Sequence, residues 1–143
     1  MTSLSNAQKK ALANIPAVSS HMDIFYFVKK EKIDEHFVNY LKAESSFSDD
    51  EISDWLNISV KTLRSYRSPG TSLKENLKEH LILILSLYEH GKEVFESAEN
   101  FDKWLAAPNY YFDNQPPKEF LSTTSGIKFI DDQLSSIEYG DNV

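Results

Sequence analysis

The chain has 143 residues, 41% apolar and 26% charged, with a net charge of −7 and no cysteine. That is enough chain for one domain or two small ones on a shared core. It excludes disulfides, thiolate metal sites and a cysteine nucleophile.

The longest apolar run, residues 81–85, falls far short of the roughly 20 residues that cross a bilayer. No apolar stretch after Lys9 and Lys10 is long enough for a secretory leader. A cytoplasmic protein with no membrane partner is therefore expected. The charge is unevenly placed. Residues 1–70 hold nine Lys/Arg and nine Asp/Glu, whereas residues 71–143 hold six against thirteen. The acidic half suits a basic protein partner, and the neutral half can still meet DNA through a local basic stripe.

Residues 1–22 are small and polar, with weak helical character from Lys9 to Ala13, and read as a flexible arm. Residues 23–30, DIFYFVKK, carry five successive apolar positions that fit strand or helix; the helical sequence that follows favours a short helix. Asp34 is placed to cap a helix with Phe37, Val38 and Leu41 on its inner face, ending near Ser45 and Ser46.

Residues 48–67, SDDEISDWLNISVKTLRSYR, have the layout of a helix-turn-helix. Ser48 and Glu51 make a capping box. Ile52 and Leu56 point inward, and Ser53 is small where two helices must approach. Asn57 supplies the left-handed residue of a tight turn, Ile58 plugs the gap between the helices, and Ser59 caps the second helix. With Leu63 and Tyr66 inward, Val60, Lys61, Thr62, Arg64, Ser65 and Arg67 are left facing out. Ser59 and these six residues are the candidate DNA contacts. Arg64 suits a guanine edge, and Lys61 and Arg67 suit phosphates. The bland alternative is a helical packing unit that no longer binds DNA.

Ser68, Pro69 and Gly70 form the strongest breaker cluster, so residues 23–70 and 71–143 are expected as separate regions. Ser72 and Glu75 read as a second capping box opening the longest helix. Leu73, Leu77, Leu81, Ile84, Leu85 and Tyr88 make one stripe, while Ile82, Leu83 and Leu87 lie off it. A helix apolar on most of its girth needs cover on two sides, and a homodimer seam is the expected source of the second.

Residues 101–140 contain three short elements with apolar faces. Phe101, Trp104 and Leu105 share one helix face and read as core. Pro108 and Asn109 stop that helix. Tyr110, Tyr111 and Phe112 follow, and three consecutive aromatics cannot all point inward, which leaves at least one for a partner. Asn114 or Gln115 before Pro116 and Pro117 opens the next helix, anchored by Phe120 and Leu121. Ile127, Ile130, Leu134 and Ile137 then define a final helix.

On these residues the chain resembles the toxin-binding domain of the Xre/MbcA/ParS-like antitoxins. The resemblance is carried by Trp104, Leu105, Pro108, Asn109, Pro117, Phe120, Leu121, Thr123, Gly126, Ile137, Glu138, Tyr139 and Gly140. The loop after Asn109 departs from the usual glycine-rich form, and Glu119 stands in the stretch where the family often has an aspartate. The resemblance implies an all-α antitoxin that partners a RES-domain toxin, an NAD-degrading enzyme, and represses its own operon by binding operator DNA. Its implied toxin-binding set is Tyr110, Tyr111, Phe112, Glu138, Tyr139, Gly140, Asp141, Asn142 and Val143. The acidic tail from Tyr139 onward is a candidate plug for a pocket built to hold the pyrophosphate of NAD. Two rival functions share the layout: a stand-alone helix-turn-helix regulator, and an adaptor that localises another protein.

His21, His36, His80 and His90 are scattered without metal-ligand spacing, and Asp49, Asp50, Glu51, Asp131 and Asp132 read as solvated helix faces. No phosphate loop, dinucleotide fingerprint or nucleophile–base pair is present. The expectation is a protein without enzymatic activity, cofactor or metal.

Overall fold

The computed structural model describes residues 4–140. Its elements, in order, are α1 (Asn6–Ala13), α2 (His21–Lys30), α3 (Glu35–Glu44), α4 (Asp49–Trp55), α5 (Val60–Tyr66), α6 (Glu75–Phe95), α7 (Ala98–Ala106), two 3-10 turns (Tyr110–Phe112 and Pro117–Phe120) and α8 (Thr124–Glu138). Among the described residues there is no strand, only an isolated bridge between Asn109 and Gln115. The fold is all-α, as its periodicity implies.

Many helix starts follow from the caps in the sequence. Asp34 accepts from the His36 N–H, Ser48 and Glu51 close a reciprocal capping box, and Ser59 and Thr123 accept from Thr62 and Gly126. Asn57 turns the chain between α4 and α5 at φ 59°. The expected box at Ser72 does not form. α6 begins after Lys74 with no side-chain cap, because extended chain there lets Leu73 enter the core.

α6 is the hub. It packs against α2, α3, α7 and α8, and every residue from 81 to 88 is buried. The cover it needs on a second side comes from the same chain, so no face of this stretch is left for a homodimer seam. One apolar core runs from Leu12 through Leu63 and Leu85 to Leu134, on both sides of the breaker cluster at residues 68–70. The stretch read as an arm contributes to it. Ala11, Leu12 and Val18 are buried, and the Gln8 amide meets the His36 ring at 2.8 Å. Three small apolar side chains are a weak sequence signal, but they are enough to seat a short helix once α3 and α6 supply a surface.

Two close approaches set the position of the C-terminal elements. A Cβ on Gly91 would lie 2.4 Å from the Phe101 ring, so the missing side chain lets α7 sit against α6. A Cβ on Gly126 would lie 1.9 Å from the Phe120 carbonyl oxygen, which fixes the second 3-10 turn on the start of α8.

A buried carboxylate of α7 ties α6 to the loop between α3 and α4. One Asp102 oxygen accepts the Tyr88 hydroxyl at 2.6 Å and the other accepts the Ser46 N–H at 2.9 Å. Burial first, and the Asp102 bond second, push the Tyr88 hydroxyl far above its ordinary pKa. Asp102→Ala strands both donors in the core and should lower the unfolding free energy by about 3 kcal/mol, read from urea denaturation of the full chain.

Candidate functional site

The first 3-10 turn owes its shape to side-chain bonds. Asn109 accepts the Tyr111 N–H at 2.9 Å, and Asp113 and Asn114 close the turn in left-handed conformations. That geometry sorts the three aromatics. Tyr110 is 79% exposed, Tyr111 is 50% exposed, and Phe112 is 1% exposed. Phe112 is therefore a core residue and not a partner contact. Its ring lies edge-on to Trp104, Phe120 and Phe129, with centroids 5.0–5.7 Å away.

This cluster is continuous. Phe101 stacks on Trp104, Trp104 meets Phe112, and Phe112 meets Phe120 and Phe129. Such pairs contribute about 0.5–1.5 kcal/mol each beyond their area burial, so the turn that holds Tyr110 and Tyr111 outward rests on a rigid base. Phe129 belongs to the base and also reaches the surface. Sequence reasoning missed it because it lies off the stripe of Ile127, Ile130 and Leu134; a large apolar residue on the polar side of an amphipathic helix was the available signal.

The other half of the expected toxin-binding set sits at the far end of α8. Phe129 and Tyr139 are ten residues apart, about 15 Å of helix rise. Tyr139 is exposed, and Gly140 ends the helix at φ 78°. Asp141, Asn142 and Val143 lie outside the described residues. Glu138 is engaged: its carboxylate lies 3.1 Å from His90 Nε2, while Asp131 lies 2.6 Å from His90 Nδ1. The imidazole of α6 thus clasps two carboxylates of α8. Asp131 is buried, so it is not part of a solvated acidic run; Asp132 is exposed. The Asp131 bond, and then the Glu138 bond, hold the His90 pKa above 6.5 against the opposing effect of burial.

The α4–α5 unit shows a comparable sorting. Lys61, Arg64 and Ser65 are exposed, Val60 and Thr62 half-buried, and Ser59 is occupied as the cap, its hydroxyl 2.9 Å from that of Thr62. Asp49 is not a solvated face either. It pairs with Lys42 at 2.9 Å, Arg64 at 3.6 Å and Arg67 at 3.7 Å. The Lys42 bond is the main reason its pKa falls below the ordinary value. Arg67 is half-buried, and its Nε donates to Asn39 at 2.8 Å while its carbonyl accepts from the Asn39 amide. It latches α5 to α3, so Lys61 and Arg64 are the accessible cations of this face. Glu51 is bound by Lys118 at 2.7 Å, and the Asn57 amide donates to the Ser122 carbonyl at 2.9 Å. These two bonds join the α4–α5 unit to the second 3-10 turn and the start of α8.

Asp34, Glu35 and His36 place three possible ligand atoms within 4.8 Å of one another. Their geometry is accounted for without an ion: Asp34 caps α3 and also contacts the His36 ring, whose Nδ1 is shared with Gln8. Among the described residues no helix is long and apolar enough to cross a membrane.

The second half of the chain thus displays Tyr110 and Tyr111 on a turn braced by a ring cluster. Residues 90–140, about a third of the chain, match the antitoxin Xre/MbcA/ParS C-terminal toxin-binding domain, so this segment is similar to that domain. The match opens at His90, takes in α7, both 3-10 turns and α8, and closes at Gly140; most of α6 precedes it. No curated protein matches the chain.

The His90 clasp has a pH signature. A folded-state pKa above 6.5 means that folding favours the proton. The stabilisation is complete below that value and fades as pH rises through the higher folded pKa. Urea midpoints should therefore be highest on the acid side of 6.5 and decline as pH rises from there through the raised folded pKa. His90→Gln should flatten that decline and lower the acid-side midpoint.

Proposed function

We propose that this protein is the antitoxin of a type II toxin–antitoxin pair. It binds a RES-domain, NAD-degrading toxin, closes access to the toxin's active site, and represses its own operon. The observation that carries this reading is the match of residues 90–140 to an antitoxin toxin-binding domain, on a segment that displays Tyr110 and Tyr111 from a braced turn. Exposed tyrosines on a pre-organised support bind protein well, because little conformational freedom is lost on contact. The net charge of −7 resides in the second half of the chain, which favours encounter with a basic cavity that holds NAD phosphates. The acidic tail after Gly140 is the segment chemically suited to enter such a cavity.

Repression is assigned to α5. Lys61 and Arg64 project beside the hydroxyls of Thr62 and Ser65. The Arg64–Asp49 pair is exposed on the arginine side, and pairs of that kind hold by about 0–1 kcal/mol, so Arg64 is free to exchange Asp49 for a base or phosphate. Arg67 serves by holding α5 in place.

Tyr110→Ala with Tyr111→Ala should weaken toxin binding by roughly a hundredfold while leaving the melting temperature unchanged. The measurements are titration of the toxin–antitoxin complex and NAD consumption by the toxin. Full inhibition by the double variant would remove this turn from the interface, and full inhibition by a chain lacking residues 141–143 would remove the tail. Lys61→Ala with Arg64→Ala should abolish operator binding in a gel-shift assay and leave NAD protection intact.

A further inference from the structure

The chain has a net charge of −7, yet the junction of α5 and α6 presents clefts without a carboxylate. Two adjoining clefts open there, of ≈ 300 and ≈ 670 Å³. Tyr66 of α5 and Lys74, the residue before α6, line both, and Lys61 and Thr62 line the larger. No Asp or Glu lines either. Lys61 and Lys74 are exposed, and neither ammonium has an ion pair or hydrogen bond among the described residues.

Tyr66 is the unusual member. It is only 7% exposed, and its hydroxyl makes no hydrogen bond among the described residues. A buried phenol ordinarily finds a partner, as Tyr88 does in Asp102. The start of α6 adds further donors. That 21-residue helix begins without a side-chain cap, and the Glu75 and Asn76 amides are unpaired among the described residues. The Glu75 carboxylate is engaged by Lys78 at 2.9 Å. The Thr62 oxygen accepts the Ser59 hydroxyl at 2.9 Å, which leaves its own proton to be donated. The free groups named here are all donors, two of them charged, beside the positive end of a long helix.

We infer that this junction is a phosphate-binding site. Lys61, Lys74, the Tyr66 hydroxyl and the first amides of α6 hold the oxyanion by charge-assisted bonds. Lys74, Tyr66 and the start of α6 lie outside the pair of cations assigned to DNA above. The site adjoins that face, so the source its position favours is a backbone phosphate of duplex DNA; a free phosphate presents the same oxyanion. The choice of source rests on the DNA-binding reading of α5, whereas the site itself does not. A duplex held here would be gripped by α6, the hub of the fold, as well as by α5.

Anisotropy titrations of the full chain use duplex from the promoter of its own operon, between roughly 50 and 200 mM salt. Lys74→Ala should lower the slope of log affinity against log salt by about one, and Lys74→Arg should restore it. Tyr66→Phe should weaken binding about fivefold with an unchanged urea midpoint, because its hydroxyl bonds nothing within the chain. That combination separates a ligand contact from a packing role. Duplex binding that is lost in Lys61→Ala with Arg64→Ala but unchanged in either Lys74→Ala or Tyr66→Phe overturns the site and leaves repression standing. Inorganic phosphate, titrated at constant ionic strength against the nitrogen-15-labelled chain, reads the Glu75 and Asn76 amides directly. Saturable shifts in a chain that ignores duplex, lost in Tyr66→Phe with Lys74→Ala, assign the site to free phosphate and remove repression instead. A response to duplex alone assigns it to the nucleic-acid backbone. Amides that respond to neither overturn the proposal.

Discussion

Burial of the middle of α6 is the constraint from which the remaining architecture follows. Eight consecutive residues, 81–88, leave no polar side of that helix to face water. A helix of that kind must be enclosed, and 143 residues enclose it only if elements from both ends of the chain take part. That requirement draws in α2 and α3 from the front and α7 and α8 from the back. It also explains why a breaker cluster at Ser68, Pro69 and Gly70 does not mark two independent bodies: both flanks owe their apolar surface to the same central helix. The polar groups trapped by this enclosure are paired across helices. Ser86 donates to the Pro16 carbonyl, and Tyr88 donates to Asp102.

The exposed tyrosine face is a by-product of how the C-terminal third closes. α7 carries Phe101 and Trp104 into a ring cluster that includes Phe112, and the 3-10 turn around Phe112 then has nowhere to place its two tyrosines except outward. Packing and display are thus one event. A substitution at Phe112 would move the turn, whereas a substitution at Tyr110 changes only the displayed surface. On α8 the same division holds: Ile127, Ile130 and Leu134 are fully buried, and Phe129 spans the cluster and the surface.

Local chemistry was legible in the sequence wherever a residue acts on its own backbone. The caps at Asp34, Ser48 and Ser59, the left-handed turn at Asn57 and the helix stop before Pro108 all depend on a few adjacent residues. What could not be read was decided by partners distant in sequence. Periodicity shows that α6 must be covered, but not whether by its own chain. Asp131 and Asp49 look like solvated charges until His90 and Lys42 arrive from elsewhere. Arg67 looks like a phosphate contact until Asn39, 28 residues earlier, takes its guanidinium. Ser72 obeys the capping pattern, yet burial of Leu73 outweighs one N-terminal hydrogen bond. Of the aromatic triplet, composition showed that some member must be exposed, and only the turn geometry decided that Phe112 goes inward.

The bonds from Glu51 to Lys118 and from Asn57 to the Ser122 carbonyl have a thermodynamic consequence. They span the gap between the tight turn before α5 and the segment leading into α8, where a flexible tether would leave two surfaces to reorient at will. Because both contacts bridge those two segments, any displacement of the segment leading into α8 must either carry the α4–α5 turn with it or break them. Whatever free energy one ligand spends on straining these bonds, a ligand on the other side spares or repeats by the same factor.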